Sequence, residues 1–197
     1  MIKLGLTGSI GMGKSTTANL FAEEGVPVHD SDETVHRLYS GIAAPKVEAA
    51  FPGVVVNGTV DRRRLGARVL DNQDALRRLG EIVHPLVRAD ADAFIEKHRK
   101  LGTALVVLDI PLLFETSGMN RVDSILVVTA SPEVQRQRVM ARPGMTEEKF
   151  AAILANQVAD RDKRRNADFI IDTSFGLEAA RRDVKRIISQ LTHRDLG

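Results

Sequence analysis

The 197-residue chain contains no cysteine, which excludes disulfide bonds and thiolate chemistry. It also contains no run approaching the roughly 18 apolar residues that a membrane-spanning helix needs. No basic segment followed by an apolar core opens the chain, and residue 2 is isoleucine, so we expect neither a secretory signal nor N-myristoylation. These absences make the cytoplasm the expected location and exclude a membrane role.

The net charge is also small, because 28 lysines and arginines are offset by 26 acidic residues, which leaves +2. That excess is too small to indicate a nucleic-acid partner. Basic residues do cluster at 62–64 and 161–165. Two interpretations stay open for these clusters, a solvated helix face or a site for a small polyanionic substrate. The five histidines are scattered, so we expect no histidine metal centre.

The remaining composition is that of an ordinary globular protein, 43% hydrophobic and 27% charged, and long enough for one well-packed domain. Within it, residues 8–15 (G-S-I-G-M-G-K-S) fit the pattern G-x-x-x-x-G-K-S/T. Residues 1–7 predict a buried strand before the pattern, and residues 16–24 predict a helix after it. In that context the pattern predicts a phosphate-binding loop, since glycines let successive N–H groups face an anion and the helix adds its positive end.

The chain is therefore predicted to bind a nucleoside triphosphate, as P-loop NTPases do. Lys14 is expected to contact the β- and γ-phosphates, and the Ser15 hydroxyl to bind Mg²⁺. The residues that we expect to contact the nucleotide are Gly8, Gly11, Met12, Gly13, Lys14, Ser15 and Thr16.

Apolar runs alternate with helical patterns along the rest of the chain, with further strands predicted at 26–29, 104–109, 124–129 and 168–172. This alternation predicts an α/β fold, a five-stranded parallel sheet flanked by helices, with ligands at the carboxyl ends of the strands. Residues 61–101 contain only helical patterns and predict a substrate-holding helical insert. Inside the insert we expect Pro85 to begin a new helix, because proline is disfavoured in a helix interior.

Acidic residues follow two of the predicted strands. Asp109 ends an apolar strand as a Walker B carboxylate does, which predicts that it helps hold Mg²⁺, directly or through water. A phosphotransferase also needs a base for the acceptor hydroxyl, and Asp32 is the natural candidate. Asp30 is placed to bind Mg²⁺ through water or to orient Asp32. One of the two could simply cap the next helix; Asp32 fits that position, and capping does not exclude catalysis.

The class of P-loop protein is narrowed by motifs that the sequence lacks. It has no N-K-x-D for guanine, no D-x-x-G after the third strand and no L-S-G-G-Q of transporter ATPases. A small chain with a late arginine-bearing hairpin has the layout of a small-molecule kinase, whose lid keeps water from ATP. We predict the lid at about 136–165, with Arg138 and Arg142 on one helix face.

Taken together, these features resemble the dephospho-CoA kinase family from residue 3 to about residue 185. The residues that carry the resemblance, besides the loop, are Asp30-Ser31-Asp32, Asp61-Arg62 with Leu65, His84-Pro85, Pro111-Leu112-Leu113-Phe114-Glu115, Gln135, Arg138, Arg142 and Gln157. The D-x-D has Ser31 where alanine is usual, a departure that does not touch the proposed chemistry.

The resemblance implies that ATP phosphorylates the ribose 3′-hydroxyl of dephospho-CoA, with Mg²⁺ as cofactor, to give coenzyme A and ADP. It implies one P-loop kinase domain over residues 1–197, with a helical CoA-binding lobe and a lid, and a loop at 172–174 on the adenine side. Asp32 becomes the base, and Arg138 and Arg142 contact ATP and the transferring phosphoryl. His84 and Glu115 lie on the acceptor side, although a histidine before a helix-starting proline could simply cap or pack.

Two alternatives stay open. One is a small P-loop kinase with another acceptor, a nucleoside, nucleotide or sugar, which acceptor screening would distinguish. The other is an ATP-dependent switch without an acceptor, for which Asp32 would be dispensable. The sequence does not indicate an oligomeric state.

Overall fold

The computed structural model describes residues 1–70 and 72–192. The chain forms two compact units, the first combining Met1–His29 with the chain from His98 onward and the second spanning Asp30–Lys97. The strands are β1 (Ile2–Thr7), β2 (Val28–Asp30), β3 (Val55–Val56), β4 (Thr59–Val60), β5 (Leu105–Asp109), β6 (Ser124–Thr129) and β7 (Phe169–Asp172). The α-helices are α1 (Lys14–Glu23), α2 (Ser31–Tyr39), α3 (Ala44–Ala50), α4 (Arg62–Val69), α5 (Gln73–Lys100), α6 (Pro132–Met140), α7 (Glu147–Ala155), α8 (Asp160–Arg165) and α9 (Leu177–Thr192).

The first unit is built on a five-stranded parallel sheet in the order β2-β5-β1-β6-β7, which confirms the predicted fold class. β1 is the central strand, and Leu4 is paired with Val107 of β5 on one side and Ser124 of β6 on the other. Every residue of β5 is buried, because helices cover both faces of a parallel sheet. The loop after β1 therefore leaves the sheet at the middle of its carboxyl edge, where such folds bind ligands.

Apolar side chains of the sheet, α1 and α9 form the core of this unit. The fully buried members include Leu4, Leu6, Phe21, Leu126, Ile171 and Ile187. Burying each such side chain contributes about 1.5–3 kcal/mol. The core thus fixes β1 and α1, the two elements that the glycine-rich loop connects.

The second unit has its own core, contributed by α2, α3, α4 and α5 and including Leu38, Val47, Leu65 and Val83. Two short strands, β3 and β4, pair antiparallel in this unit around Asn57-Gly58. Both turn residues have positive φ, 50° and 78°, as the tight hairpin turns require. Asn-Gly is a local signal for such a turn, but the sequence analysis did not predict the strands, because two-residue strands are too short to show alternation.

Pro85 lies inside α5, so the prediction that it begins a new helix was wrong. Proline has no backbone N–H, so the carbonyl of Glu81, four residues earlier, loses its helical hydrogen-bond donor. Both residues are exposed, which lets water bind that carbonyl. Apolar residues on either side of the proline, Val83 and Leu86 among them, pack into one core and hold the helix continuous. Within residues 1–70 and 72–192, no helix is long and apolar enough to cross a membrane.

Candidate active site

The glycine-rich loop joins β1 to α1, and its glycines are required by space as well as by conformation. Gly11 has φ of 79°, and a Cβ there would lie 2.5 Å from Val139 Cγ2. Gly13 stands at the start of α1 and has φ of 93°. A Cβ at this position would lie 3.1 Å from the Thr173 side chain. Because L side chains rarely adopt this conformation, any other residue at either position would strain the loop.

The other predicted nucleotide contacts lie along the same loop and the first turn of α1. Gly8 and Met12 are buried, whereas Ser15 and Thr16 are exposed. Exposure at the N-terminus of α1 leaves the two hydroxyls open to a ligand, where the helix end favours an anion.

Lys14 and Asp109 meet in the first unit. Lys14 Nζ lies 2.5 Å from Asp109 Oδ1, the lysine side chain is 14% exposed, and the aspartate is fully buried. A buried carboxylate is stable only with a compensating charge, which the lysine supplies. The structure thus brings together the two residues that the sequence assigned to the phosphates and to Mg²⁺.

Three side chains from outside the loop hold three consecutive loop carbonyls. The contacts are Gln135 Nε2 to the Ile10 carbonyl (2.8 Å), Arg138 Nη1 to the Gly11 carbonyl (3.4 Å) and Thr173 Oγ1 to the Met12 carbonyl (2.8 Å). The described residues contain no cis peptide bond, and in a trans peptide the N–H points away from the carbonyl that precedes it. The N–H groups of Gly11 and Gly13 therefore face away from the side chains that hold the preceding carbonyls, an arrangement that suits an anion-binding nest, whereas Met12 N–H donates to the Ser9 carbonyl at 3.2 Å.

Arg138 belongs to this support of the loop. Its guanidinium donates to Thr173 twice, to Oγ1 at 2.7 Å and to the carbonyl at 2.9 Å. Arg142 lies beyond the end of α6 at Met140 and is exposed, so the predicted shared helix face of the two arginines was wrong. The helix ends early because the chain turns ahead of Pro143-Gly144, where Gly144 has φ of 71°.

Glu115 is paired with a lysine inside the first unit. Lys163 Nζ lies 3.0 Å from Glu115 Oε1, and the lysine side chain is fully buried. The backbone N–H of Val158 donates to the same oxygen at 2.8 Å. Lys163 belongs to the basic cluster at 161–165, so the solvated-face interpretation fails for this residue. Glu115 Oε2 is buried without a hydrogen-bond partner among the residues described.

The second unit carries Asp30 and Asp32. Asp30 caps α2, its Oδ1 accepting from the N–H groups of Asp32 at 2.8 Å and Glu33 at 3.0 Å. The expectation that Asp32 fits the cap was therefore wrong, because α2 begins earlier, at Ser31. Asp32 instead lies exposed in the first turn of α2. Because Asp30 caps α2, the Asp32 carboxylate is not engaged in capping that helix.

His84 lies in the middle of α5 and is exposed. Its ring packs across Gly80, where a Cβ would be 3.0 Å from His84 Cε1. Because no helix begins at Pro85, His84 does not act as a helix cap. Its acceptor-side role stays a prediction.

Mg²⁺ fits the donors of the first unit. The Ser15 hydroxyl and the Asp109 carboxylate offer the hard oxygen ligands that this ion prefers, and it usually keeps waters and substrate phosphates as its other ligands. In the described part of the chain, no cluster of three or more histidine, cysteine or acidic side chains forms a metal site of its own. A magnesium ion here would accordingly be held mainly by the nucleotide.

Two parts of the site were not predicted from the sequence. The resemblance placed Thr173 in an adenine-side loop, which stays a prediction, and the structure adds that its hydroxyl supports the phosphate loop. Gln157 was named only among the residues that carry the family resemblance, whereas the structure places it beyond the end of α7, where its Oε1 accepts from Ile10 N–H at 3.2 Å. Neither contact leaves a local sequence signal, because each joins residues more than 140 positions apart.

A supported phosphate loop after the central strand of a parallel five-stranded sheet, with its lysine paired to a strand-end aspartate, defines a P-loop nucleotide-binding protein of the small-kinase type. The family model described as dephospho-CoA kinase matches residues 2–178. The chain belongs to the dephospho-CoA kinase family.

Individual relatives agree with this membership. A dephospho-CoA kinase from Mesorhizobium japonicum is 72% identical over 191 residues, 97% of each chain, and one from Agrobacterium fabrum is 58% identical over 191 residues, 97% of this chain and 98% of the relative. The crystal structure of TT1252 from Thermus thermophilus superposes with a TM-score of 0.83 at 36% identity, covering 97% of this chain and 98% of that chain. A shikimate kinase from Acinetobacter baumannii, at 20% identity and a TM-score of 0.52 over 100% of this chain and 96% of that chain, shares the fold.

Proposed function

We propose that this chain transfers the γ-phosphoryl group of ATP to the ribose 3′-hydroxyl of dephospho-CoA, giving coenzyme A and ADP. The observation that carries the proposal is the phosphate loop with its Lys14–Asp109 pair, present in a chain of the dephospho-CoA kinase family.

The nucleotide end of the reaction is assigned to the first unit. The loop N–H groups bind the phosphates, and Lys14 exchanges its contact with Asp109 for the β- and γ-phosphates. Mg²⁺ bound with ATP, near Ser15 and Asp109, supplies positive charge against the phosphate oxygens. Lys14 then stabilises the charge that develops on the transferring group, which is the largest contribution in reactions of this type.

The acceptor end is assigned to Asp32. Its carboxylate takes the proton from the 3′-hydroxyl, the oxygen forms a bond to the γ-phosphorus, and the bond to the ADP oxygen breaks. A positioned base contributes about 10²–10⁴-fold to the rate. The proposal is supported by the exposed position of Asp32 and by Asp30, which supplies the helix cap in its place.

Further assignments follow the family resemblance. Residues 61–101 form the lobe that holds the acceptor, with His84 on the acceptor side. Glu115 is likewise assigned to the acceptor side. Residues 136–165 form the lid, in which the exposed Arg142 contacts the transferring phosphoryl, whereas Arg138 acts on ATP from its position beside the loop. We assign residues 1–197 to one kinase domain, located in the cytoplasm that supplies its ATP.

An acceptor screen tests the proposal. ADP release is measured with Mg²⁺-ATP and dephospho-CoA, and separately with adenosine, AMP and gluconate. We expect turnover with dephospho-CoA alone, at the roughly 1–100 s⁻¹ typical of kinases. Release with a different acceptor would reject the substrate assignment and keep the P-loop kinase class. Absence of any acceptor-dependent release would reject kinase activity.

A further inference from the structure

We propose that Gln135 and Gln157, the glutamine pair, position the phosphate loop by holding both hydrogen-bonding groups of Ile10, and that Gln157 couples the hairpin between them to bound nucleotide. The inference rests on the proposed function for its substrate, ATP.

The glutamine pair contacts one loop residue from two directions. Gln135 Nε2 donates to the Ile10 carbonyl at 2.8 Å, and Gln157 Oε1 accepts from the Ile10 N–H at 3.2 Å. Since a backbone carbonyl only accepts and an N–H only donates, each amide has one orientation that satisfies its contact. The two contacts therefore demand opposite chemistry, a donor at position 135 and an acceptor at position 157.

Holding both groups of Ile10 fixes the peptide planes on either side of it. With its carbonyl held by Gln135, the next N–H, that of Gly11, points the opposite way. With its N–H held by Gln157, the carbonyl of Ser9 points the opposite way, and it accepts from Met12 N–H at 3.2 Å. A flip of the Ile10–Gly11 plane would turn the Ile10 carbonyl into the loop, where it would repel a phosphate, and a flip of the Ser9–Ile10 plane would break the contact between Met12 N–H and the Ser9 carbonyl. The glutamine pair thus keeps the loop ready to bind an anion.

The two glutamines also stand at opposite ends of a hairpin. Gln135 lies in α6, which ends at Met140, and Gln157 follows Asn156, the C-cap of α7. The hairpin formed by residues 141–156 is therefore flanked on both sides by contacts to the same loop residue. A change in the loop when nucleotide binds is transmitted through Gln157 to this hairpin, part of the predicted lid. Gln157 is half-buried and Gln135 is buried, so both contacts are sheltered from competing water.

The opposite chemistry of the pair gives a matched test. Gln157→Glu keeps an acceptor for Ile10 N–H, whereas Gln135→Glu sets a carboxylate against the Ile10 carbonyl. Each adds one negative charge beside the same residue, so the repulsion of ATP is similar and the difference reports hydrogen-bond polarity. Gln137→Glu adds that charge at an exposed position of α6 as a control.

We expect the Kd of the non-hydrolysable analogue β,γ-imido-ATP with Mg²⁺ to rise about tenfold more in Gln135→Glu than in Gln157→Glu, the cost of an unmet polar group. Gln137→Glu should change it less than about twofold, in keeping with an exposed substitution. The KM for dephospho-CoA should be unchanged in all three. Equal effects at positions 135 and 157, or an equal effect at 137, would overturn the positioning role.

The coupling is tested by hydrogen exchange. In the wild type, β,γ-imido-ATP should slow amide exchange across residues 141–156, and Gln157→Leu should abolish that slowing while Gln137→Leu retains it. Slowing that persists in Gln157→Leu would overturn the coupling. Since both assays use nucleotide without acceptor, a wild type that binds nucleotide and fails to phosphorylate dephospho-CoA would reject the proposed function and leave the glutamine pair to be judged by its own results.

Discussion

Lys163→Met removes the cation of a buried ion pair and should destabilise the first unit strongly. Lys163 is fully buried and Glu115 is 14% exposed, so the remaining carboxylate would stay largely out of water. Val158 N–H, which donates to Glu115 Oε1 at 2.8 Å, would be its one remaining partner within the described residues. The substitution keeps the length of the side chain, so the lost charge dominates its effect.

Breaking a buried ion pair by removing one partner costs about 3–5 kcal/mol. The retained N–H and the partial exposure of Glu115 place the expected loss in the free energy of unfolding near the lower end, about 3 kcal/mol. For a chain of this length each kcal/mol shifts Tm by about 2–4 °C, so Tm should fall by about 6–12 °C.

The assay is urea and thermal unfolding, followed by far-UV circular dichroism. Arg164→Met, on the same helix, is the matched control, since its side chain is 48% exposed and its ion pair with Asp160 spans 3.5 Å. Such a pair contributes at most about 1 kcal/mol. In Lys163→Met/Glu115→Gln the uncompensated charge is removed and the acceptor for Val158 is kept, so most of the lost stability should return.

A loss in the free energy of unfolding below about 1 kcal/mol for Lys163→Met would refute the reasoning, since it would mean that the Glu115 charge does not need the lysine to compensate it. A double variant as unstable as the single one would refute it as well, because the cost would then come from packing.

Three further predictions concern the site and the second unit. Lys14→Ala should abolish ATP turnover in an ADP-release assay, because the developing γ-phosphoryl charge loses its main cation, and near-normal turnover would contradict the loop assignment. Asp32→Asn should lower kcat about 10²–10⁴-fold at unchanged ATP affinity, with Glu33→Gln in the same turn as control; a change in KM alone would argue against a base. Backbone N–H groups hold the pKa of Glu48 below its ordinary value of 4.5, so its stabilisation is present above that value and lost as pH falls through the lowered pKa. Glu48→Gln should therefore flatten the acid side of the stability–pH curve from urea unfolding, and an unchanged curve would contradict that origin.

The elements that were predicted well carry their signal locally. The G-x-x-x-x-G-K-S/T segment and the buried β5, which is apolar up to Asp109, show their patterns within a few residues, and the structure has each at the expected place. The amphipathic α9 likewise displays its buried stripe locally. Ser131 caps α6 by accepting from Val134 N–H, and a serine directly before a helix-starting proline is itself a local capping signal. Such features depend on backbone preferences and burial on one face, which a single sequence displays.

The errors have a different physical origin. Pro85 would break an isolated helix, and it is accommodated because the helix packs through apolar residues on both sides of it. The contacts of Gln157 and Lys163 could not be predicted, because only the tertiary fold brings their polar groups to their partners; Lys163 was placed in a basic cluster. The end of α6 at Met140 and the end of α7 at Ala155 decide which residues share a helix face. Helix boundaries are hard to predict because the terminal residues of a helix are weakly defined.

The central claim is transfer of a phosphoryl group from ATP to one hydroxyl of dephospho-CoA. The most direct measurement is ³¹P NMR of the purified product after incubation with Mg²⁺-ATP and dephospho-CoA, with ADP quantified in the same sample. We predict one new phosphomonoester, coupled to the ribose 3′ proton, formed in equal amount to ADP. A phosphate on another hydroxyl, or ADP formed with free phosphate in place of a phosphorylated acceptor, would contradict the account.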